Sequence, residues 1–135
     1  FLGRGNNASE QKLTEAVKTI SLAVGAARSK AMLSHAMSEL TVREQGFELS
    51  PEKKLFELPS GVAVSGYEIK GNDSKAFEQP LRFSPRGQTD WTVFWLEGDE
   101  MRKSVLIRPF GGSLVVVSGF SSLADLLDEG FVRVQ

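Results

Sequence analysis

Leu13-Thr14-Glu15-Ala16-Val17-Lys18-Thr19-Ile20-Ser21-Leu22-Ala23-Val24-Gly25-Ala26-Ala27-Arg28-Ser29-Lys30-Ala31 is the stretch that decides the fold. Its apolar or small residues Leu13, Val17, Ile20, Val24, Ala27 and Ala31 are spaced by alternating steps of four and three, which sets them on one stripe of an α-helix. The same period extends the helix from about Asn7 to about Met37, and Asn7 with Glu10 resembles a capping box. At 1.5 Å per residue such a helix reaches on the order of 45 Å, long for a chain of this size. A second stripe, Leu22, Ala26, Leu33 and Ala36, exists only in the later half. The later half is therefore expected to be buried on two sides, and the first half to project with one polar face. Gly25 costs helix stability of about 1 kcal/mol relative to Ala, and with Ala26 and Ala27 it leaves room for another backbone to come close.

After Glu39 the pattern changes to short β runs punctuated by Gly, Pro, Asn and Asp. The predicted strands are Leu40–Arg43, Lys54–Leu58, Val62–Lys70, Leu81–Phe83, Trp91–Leu96, Ser104–Arg108 and Leu114–Ser118. Turn chemistry bounds them, as at Leu58-Pro59-Ser60-Gly61, Ser84-Pro85-Arg86-Gly87 and Phe110-Gly111-Gly112. Connections this short require mainly antiparallel pairing, because a parallel pair needs a crossover of about a dozen residues. The segment Asn72 to Gln79 reads as a mobile loop, Ser121–Asp128 as a short capped helix, and Phe131–Val134 as a final strand. One long helix followed by a run of strands is an α+β fold, a single domain over 1–135 with helix at about 7–37, a strand-rich head at about 39–118 and a C-terminal extension at 119–135.

Composition narrows the function. With 16 Lys+Arg against 17 Asp+Glu and no long basic run, the chain lacks the electrostatic footprint that nucleic acids or anionic membranes select. Zero cysteine excludes disulfides, thiolate metal sites and a cysteine nucleophile. The least charged stretch, Pro109–Ala124, is broken by glycines and is too short to span a bilayer, so the chain reads as a soluble globular piece.

Few residues carry reactive chemistry. His35 is the only histidine, which excludes paired-histidine zinc sites; it falls at the predicted helix end, where a cationic side chain suits the dipole. The pairs Asp99-Glu100 and Asp128-Glu129 sit at predicted turns and lack the spacing of a calcium loop. Gly3-Arg4-Gly5 and Gly111-Gly112 have no Walker lysine and read as turns. Trp91 and Trp95 share one strand face; they are either a recognition platform or the packing layer against a helix. Neither a metal nor a cofactor is expected, and nothing in these residues supports an enzyme.

The layout resembles type IV pilin-like proteins, and the local sequence is similar to the minor pseudopilins of type II secretion, most closely the H-type. Ala27-Arg28-Ser29-Lys30-Ala31 leading to Leu40-Thr41-Val42 is similar to the family's Ala-Arg-x-x-Ala stretch and first strand. Leu81-Arg82-Phe83-Ser84-Pro85-Arg86-Gly87 resembles its Phe-x-Pro-x-Gly turn, and Val105 to Val115, with the glycines at 111 and 112, resembles its closing hairpin. Family members start with a Phe, a Glu four residues later and about twenty apolar residues that anchor them in the inner membrane. Here Gly5 stands at the glutamate's place and no apolar span follows, so either an anchoring half-helix is expected to have been removed ahead of this piece, which the non-Met start favours, or this is a soluble protein that shares the fold by chance.

The resemblance implies a structural subunit of a short periplasmic filament, single-pass in the bacterial inner membrane, with minor members at or near the tip. Its partners would be other pseudopilin or pilin subunits and the inner-membrane secretion machinery, with no nucleic acid. Leu13, Val17 and Ile20 are then the candidate subunit-contact face, expected to be open in the isolated domain. Val24, Ala27 and Ala31 are the candidate helix-to-sheet packing, and Trp91 and Trp95 the candidate recognition aromatics. The alternative is a non-catalytic ligand-binding or recognition domain.

Overall fold

A computed structural model describes residues 2–71 and 79–128, with side chains from Glu10 onward. The expected loop at 72–78 and the expected strand Phe131–Val134 lie outside the described residues.

Helix α1 runs Leu2–Ser34. It begins ahead of the expected Asn7, which lies within the helix, so the capping box does not mark its start. It stops three residues before Met37 because His35 takes a left-handed φ of 56° and the Ala36 N–H bonds back to the Ala31 carbonyl at 3.2 Å. That is the Schellman closure, made with histidine where glycine is usual.

The strands follow as β1 (Ser38–Arg43), β2 (Gly46–Ser50), β3 (Lys54–Glu57), β4 (Ala63–Ile69), β5 (Leu81–Phe83), β6 (Thr92–Gly98), β7 (Met101–Ile107) and β8 (Val115–Ser118), and α2 spans Leu123–Asp128. They form two sheets, β3-β2-β1-β5 and β4-β6-β7-β8, with every pairing antiparallel. Strand β2 has no counterpart among the predicted ones. Its Phe47 and Leu49 alternate inward, but a five-residue strand opening on glycine gives little pattern to read. Gly46 itself is obligatory, since a Cβ there would lie 2.2 Å from the Phe56 carbonyl oxygen.

In the first sheet, Leu40 opposite Leu49 and Leu81, and Val42 opposite Phe47, turn one apolar face toward α1. The other face carries the ion pairs Arg43–Glu48 and Arg82–Glu39. The second sheet brings Val64, Phe94, Leu96, Val105 and Ile107 to the same core as the α1 residues Ala16, Ile20, Ala23, Val24, Ala27 and Ala31. The sheets meet through the rings of Phe47 and Phe94, 5.3 Å apart, and through the Val64 N–H, which bonds to the Glu44 carbonyl in the β1–β2 turn at 2.8 Å. Lys30 of α1 also pairs with Glu52 in the β2–β3 turn.

The second sheet is covered on its outer face too. Val93 and Leu106 pack against Leu123 and Leu126 of α2, with Trp91, Trp95, Val115 and Val117 around them. Ser122 caps α2 by accepting from the Asp125 N–H at 3.1 Å, and Glu68 of β4 accepts from the Leu123 N–H at 3.0 Å. Residues 119–128 are therefore part of the packed domain.

Phe94 touches both sheets' aromatic groups and is fully buried, so its truncation opens a cavity at the junction. Phe94→Ala is expected to lower unfolding stability by about 3–5 kcal/mol in urea titration, still in one transition.

Candidate functional site

The helix stripe comes to lie on a single buried face. Val24, Ala27 and Ala31 are buried against the sheets, and Ile20 is buried with them. Leu13 and Val17 are half-buried against the same core. The expectation that Leu13 to Ile20 stays open in the isolated domain is thus corrected. The head reaches further along α1 than half its length, and the β6–β7 hairpin brings Met101 and Lys103 to a cleft shared with Leu13.

The second stripe is corrected in the opposite sense. Leu22 is 57% exposed and Leu33 83%, with Ala36 also exposed and only Ala26 half-buried. The physical reason is that both sheets dock on one side of α1, leaving nothing among the described residues to cover its back. Gly25 lies on that back, where a Cβ would meet no atom within 4 Å. Within the expected stretch Gly25-Ala26-Ala27 the close approach occurs at Ala27, whose carbonyl accepts from the Ser38 hydroxyl at 2.6 Å. Met32 and Met37 extend the exposed apolar surface toward the end of the helix.

Trp91 and Trp95 are half-buried on the outer face of the second sheet. The Trp95 indole N–H donates to the Ser121 carbonyl at 2.8 Å, its ring lies 6.3 Å from that of Phe120, and the missing side chain of Gly66 makes room for it. Ser104, buried at the centre of β7, holds the same segment by donating to the Gly119 carbonyl at 2.7 Å and accepting from the Ser121 N–H at 2.8 Å. The indoles therefore lie under the 119–128 segment, in the packing layer against a helix. His35 is exposed at the α1 terminus, and no group of three or more His, Cys, Asp or Glu able to hold a metal occurs among the described residues.

Arg28 is the residue whose role the apolar pattern does not disclose. It leaves α1 at the border of the buried face, donates from Nε to the Gly87 carbonyl at 2.7 Å, and from Nη2 to the Arg108 and Pro109 carbonyls at 3.3 and 3.4 Å. Its guanidinium also lies 5.4 Å from the Phe83 ring centroid. One side chain thus joins the helix to the β5–β6 connection and to the end of β7. Partial burial away from water lowers its pKa from the ordinary arginine value, yet it stays charged. Gly87 and Gly111 both accommodate it. A Cβ on Gly87 would lie 2.9 Å from Arg28 Cγ, and one on Gly111 3.3 Å from Nη1. The only sequence signal for this contact is an arginine inside an alanine-rich helix followed, far downstream, by two glycine turns.

The described residues contain no helix long and apolar enough to cross a membrane. No family model matches the chain, and no curated protein matches it in sequence. Among solved structures it is similar to the minor pseudopilin EpsH from the type 2 secretion system of Vibrio cholerae, with a TM-score of 0.53 and 12% identity over 82% of this chain and 99% of that one. The likeness shows the fold. An N-terminal helix packed on two antiparallel sheets is the architecture the two chains share.

Arg28→Lys is expected to cost about 2 kcal/mol or more of unfolding stability, close to Arg28→Met, because a single ammonium cannot reach three carbonyls at two loops. Thermal and urea unfolding of the three proteins checks this.

Proposed function

We propose that this chain is the head and adjoining half-helix of a filament subunit, a minor pseudopilin-like or minor pilin-like component of a type II secretion or type IV pilus assembly system. The observation that carries the reading is the division of α1 into two faces. One face is committed to the sheets through Ala16, Ile20, Ala23, Ala27 and Ala31. The other leaves Leu22 and Leu33 exposed on a helix that extends from Leu2 to Ser34. A 33-residue helix is about 50 Å long, more than a head of this size needs for its own core. Apolar residues on an unpartnered helix face favour burial against other helices. The fold shared with EpsH supports the same reading.

In this account the subunit acts by assembly and not by catalysis. An apolar segment ahead of Phe1 anchors it in the inner membrane, the head lies on the periplasmic side, and helices of neighbouring subunits cover the back of α1. Other pilin-like subunits and the membrane-embedded assembly machinery are its partners. The contact face in the later half of α1 replaces the Leu13, Val17 and Ile20 face expected from the sequence, because the head already occupies the latter.

Three measurements test the reading. The open reading frame upstream of Phe1 should encode an apolar helix of about twenty residues, and a start codon within a few residues of Phe1 would remove the mechanism. The double substitution Leu22→Lys, Leu33→Lys should leave the isolated domain's stability within about 0.5 kcal/mol of the parent, since both sites are exposed. The same pair in the full-length protein should abolish its recovery with filament subunits.

A further inference from the structure

Two arginines line one small crevice with donors to spare, and among the described residues no carboxylate lines it. The crevice, about 170 Å³, lies between the middle of α1 and the turn after β7, where Ser21, Arg28, Arg108, Gly111 and Gly112 meet. Arg28 spends Nε and Nη2 on backbone carbonyls, while its Nη1 makes no hydrogen bond among the described residues. Arg108 makes one, from Nη1 to the Ser113 carbonyl at 2.9 Å, and its Nε is buried with no partner.

The two cations lie against the same turn. A Cβ built on Gly111 would lie 3.3 Å from Arg28 Nη1, and one on Gly112 would lie 3.5 Å from Arg108 Nη1, so the guanidiniums flank adjacent residues of one turn. Neither takes part in an ion pair among the described residues. Like charges lining one partly dehydrated recess repel, and an orphaned buried N–H adds its own desolvation cost. An oxyanion between them offsets the repulsion. The volume admits a carboxylate with a short stem, a water molecule occupying roughly 30 Å³ of liquid. Guanidinium donors in a planar fork match the two oxygens of that group.

We propose that this crevice is a carboxylate-binding site, in which Arg28 Nη1 takes one oxygen and Arg108 Nη2 the other. The wall of Gly111 and Gly112, with φ of 102° and 100°, has no side chains to obstruct entry. The carboxylate is either that of a free small acid or that of an acidic side chain on another polypeptide. The site stands on this geometry alone and does not depend on the filament reading.

Titration of the whole chain with sodium glutarate, at ionic strength held constant with chloride and followed by NMR, tests it. Saturable shifts are expected at the Gly111 and Gly112 amides and at the Arg28 and Arg108 Nε–H signals. Because Arg28 also holds the fold, Arg108→Gln is the deciding variant: its spectrum away from the crevice should match the parent, and its affinity should fall by roughly tenfold or more. Arg86→Gln, at an exposed turn, should change nothing. A second arm uses an end-capped peptide with a single Glu and the same peptide with Gln. Saturable binding of the Glu peptide and not the Gln peptide supports the site and assigns a polypeptide carboxylate; binding of glutarate alone supports it and assigns a free acid. Shifts that stay linear with concentration for both probes, or saturation unchanged in Arg108→Gln, overturn it.

Discussion

One face of α1 has to serve two sheets at once, and the rest of the structure follows from how narrow that face is. Ala16, Ala23, Ala27 and Ala31 present almost no side-chain bulk, so β1 comes close enough for the Ser38 hydroxyl to reach the Ala27 carbonyl. Ile20 and Val24 supply the apolar volume between the alanines, and the Phe47–Phe94 contact closes the wedge where the sheets meet. Interiors packed to crystal-like density tolerate little change of volume, so enlarging any of these alanines would push a whole strand outward. Arg28 sits where that face ends. It ties the connection between the sheets and the exit of β7 to the helix through carbonyls that would otherwise need other donors.

Much of this was legible in the residues. The four-and-three stripe marked Val24, Ala27 and Ala31, which lie in the core, and turn chemistry located seven of the strands to within a few residues. The α+β order needed no tertiary information. What periodicity could not convey was which stripe the head would choose. Leu22 and Leu33 are more apolar than Ala23 and Ala27, so the pattern marked a second buried side; the packing chose the small residues because they admit two sheets. Strand β2 was missed because its glycine is required by a backbone 2.2 Å from the place of its absent Cβ, a contact between distant segments. The partners of Arg28 and Arg108 were unreadable for the same reason: they are backbone carbonyls, which leave no trace in residue identity.

The two sheets are finished differently, and that asymmetry bears on function. The second is covered on its inner face by the core and on its outer face by α2, with Ser104, Glu68 and the Trp95 indole binding the covering segment. On its outer face, beside exposed Leu55, the first carries Arg43–Glu48 and Arg82–Glu39, surface pairs that add little stability each but keep that face wet. The back of α1 is finished in neither way. It carries exposed Leu22 and Leu33 with Gly25 and Ser29 between them, an apolar and sterically open surface to which another helix can draw near.

Site-specific photo-crosslinking in cells producing the full-length protein tests most directly whether the back of α1 is the contact surface. Probes at Leu22 and Leu33 are compared with a probe at Leu55, an exposed apolar residue on β3 that stands opposite Glu48 on the outer face of the first sheet. The account predicts crosslinks to pilin-like subunits from both helix positions and none from Leu55. Equal crosslinking from all three positions, or none from the helix, would contradict it.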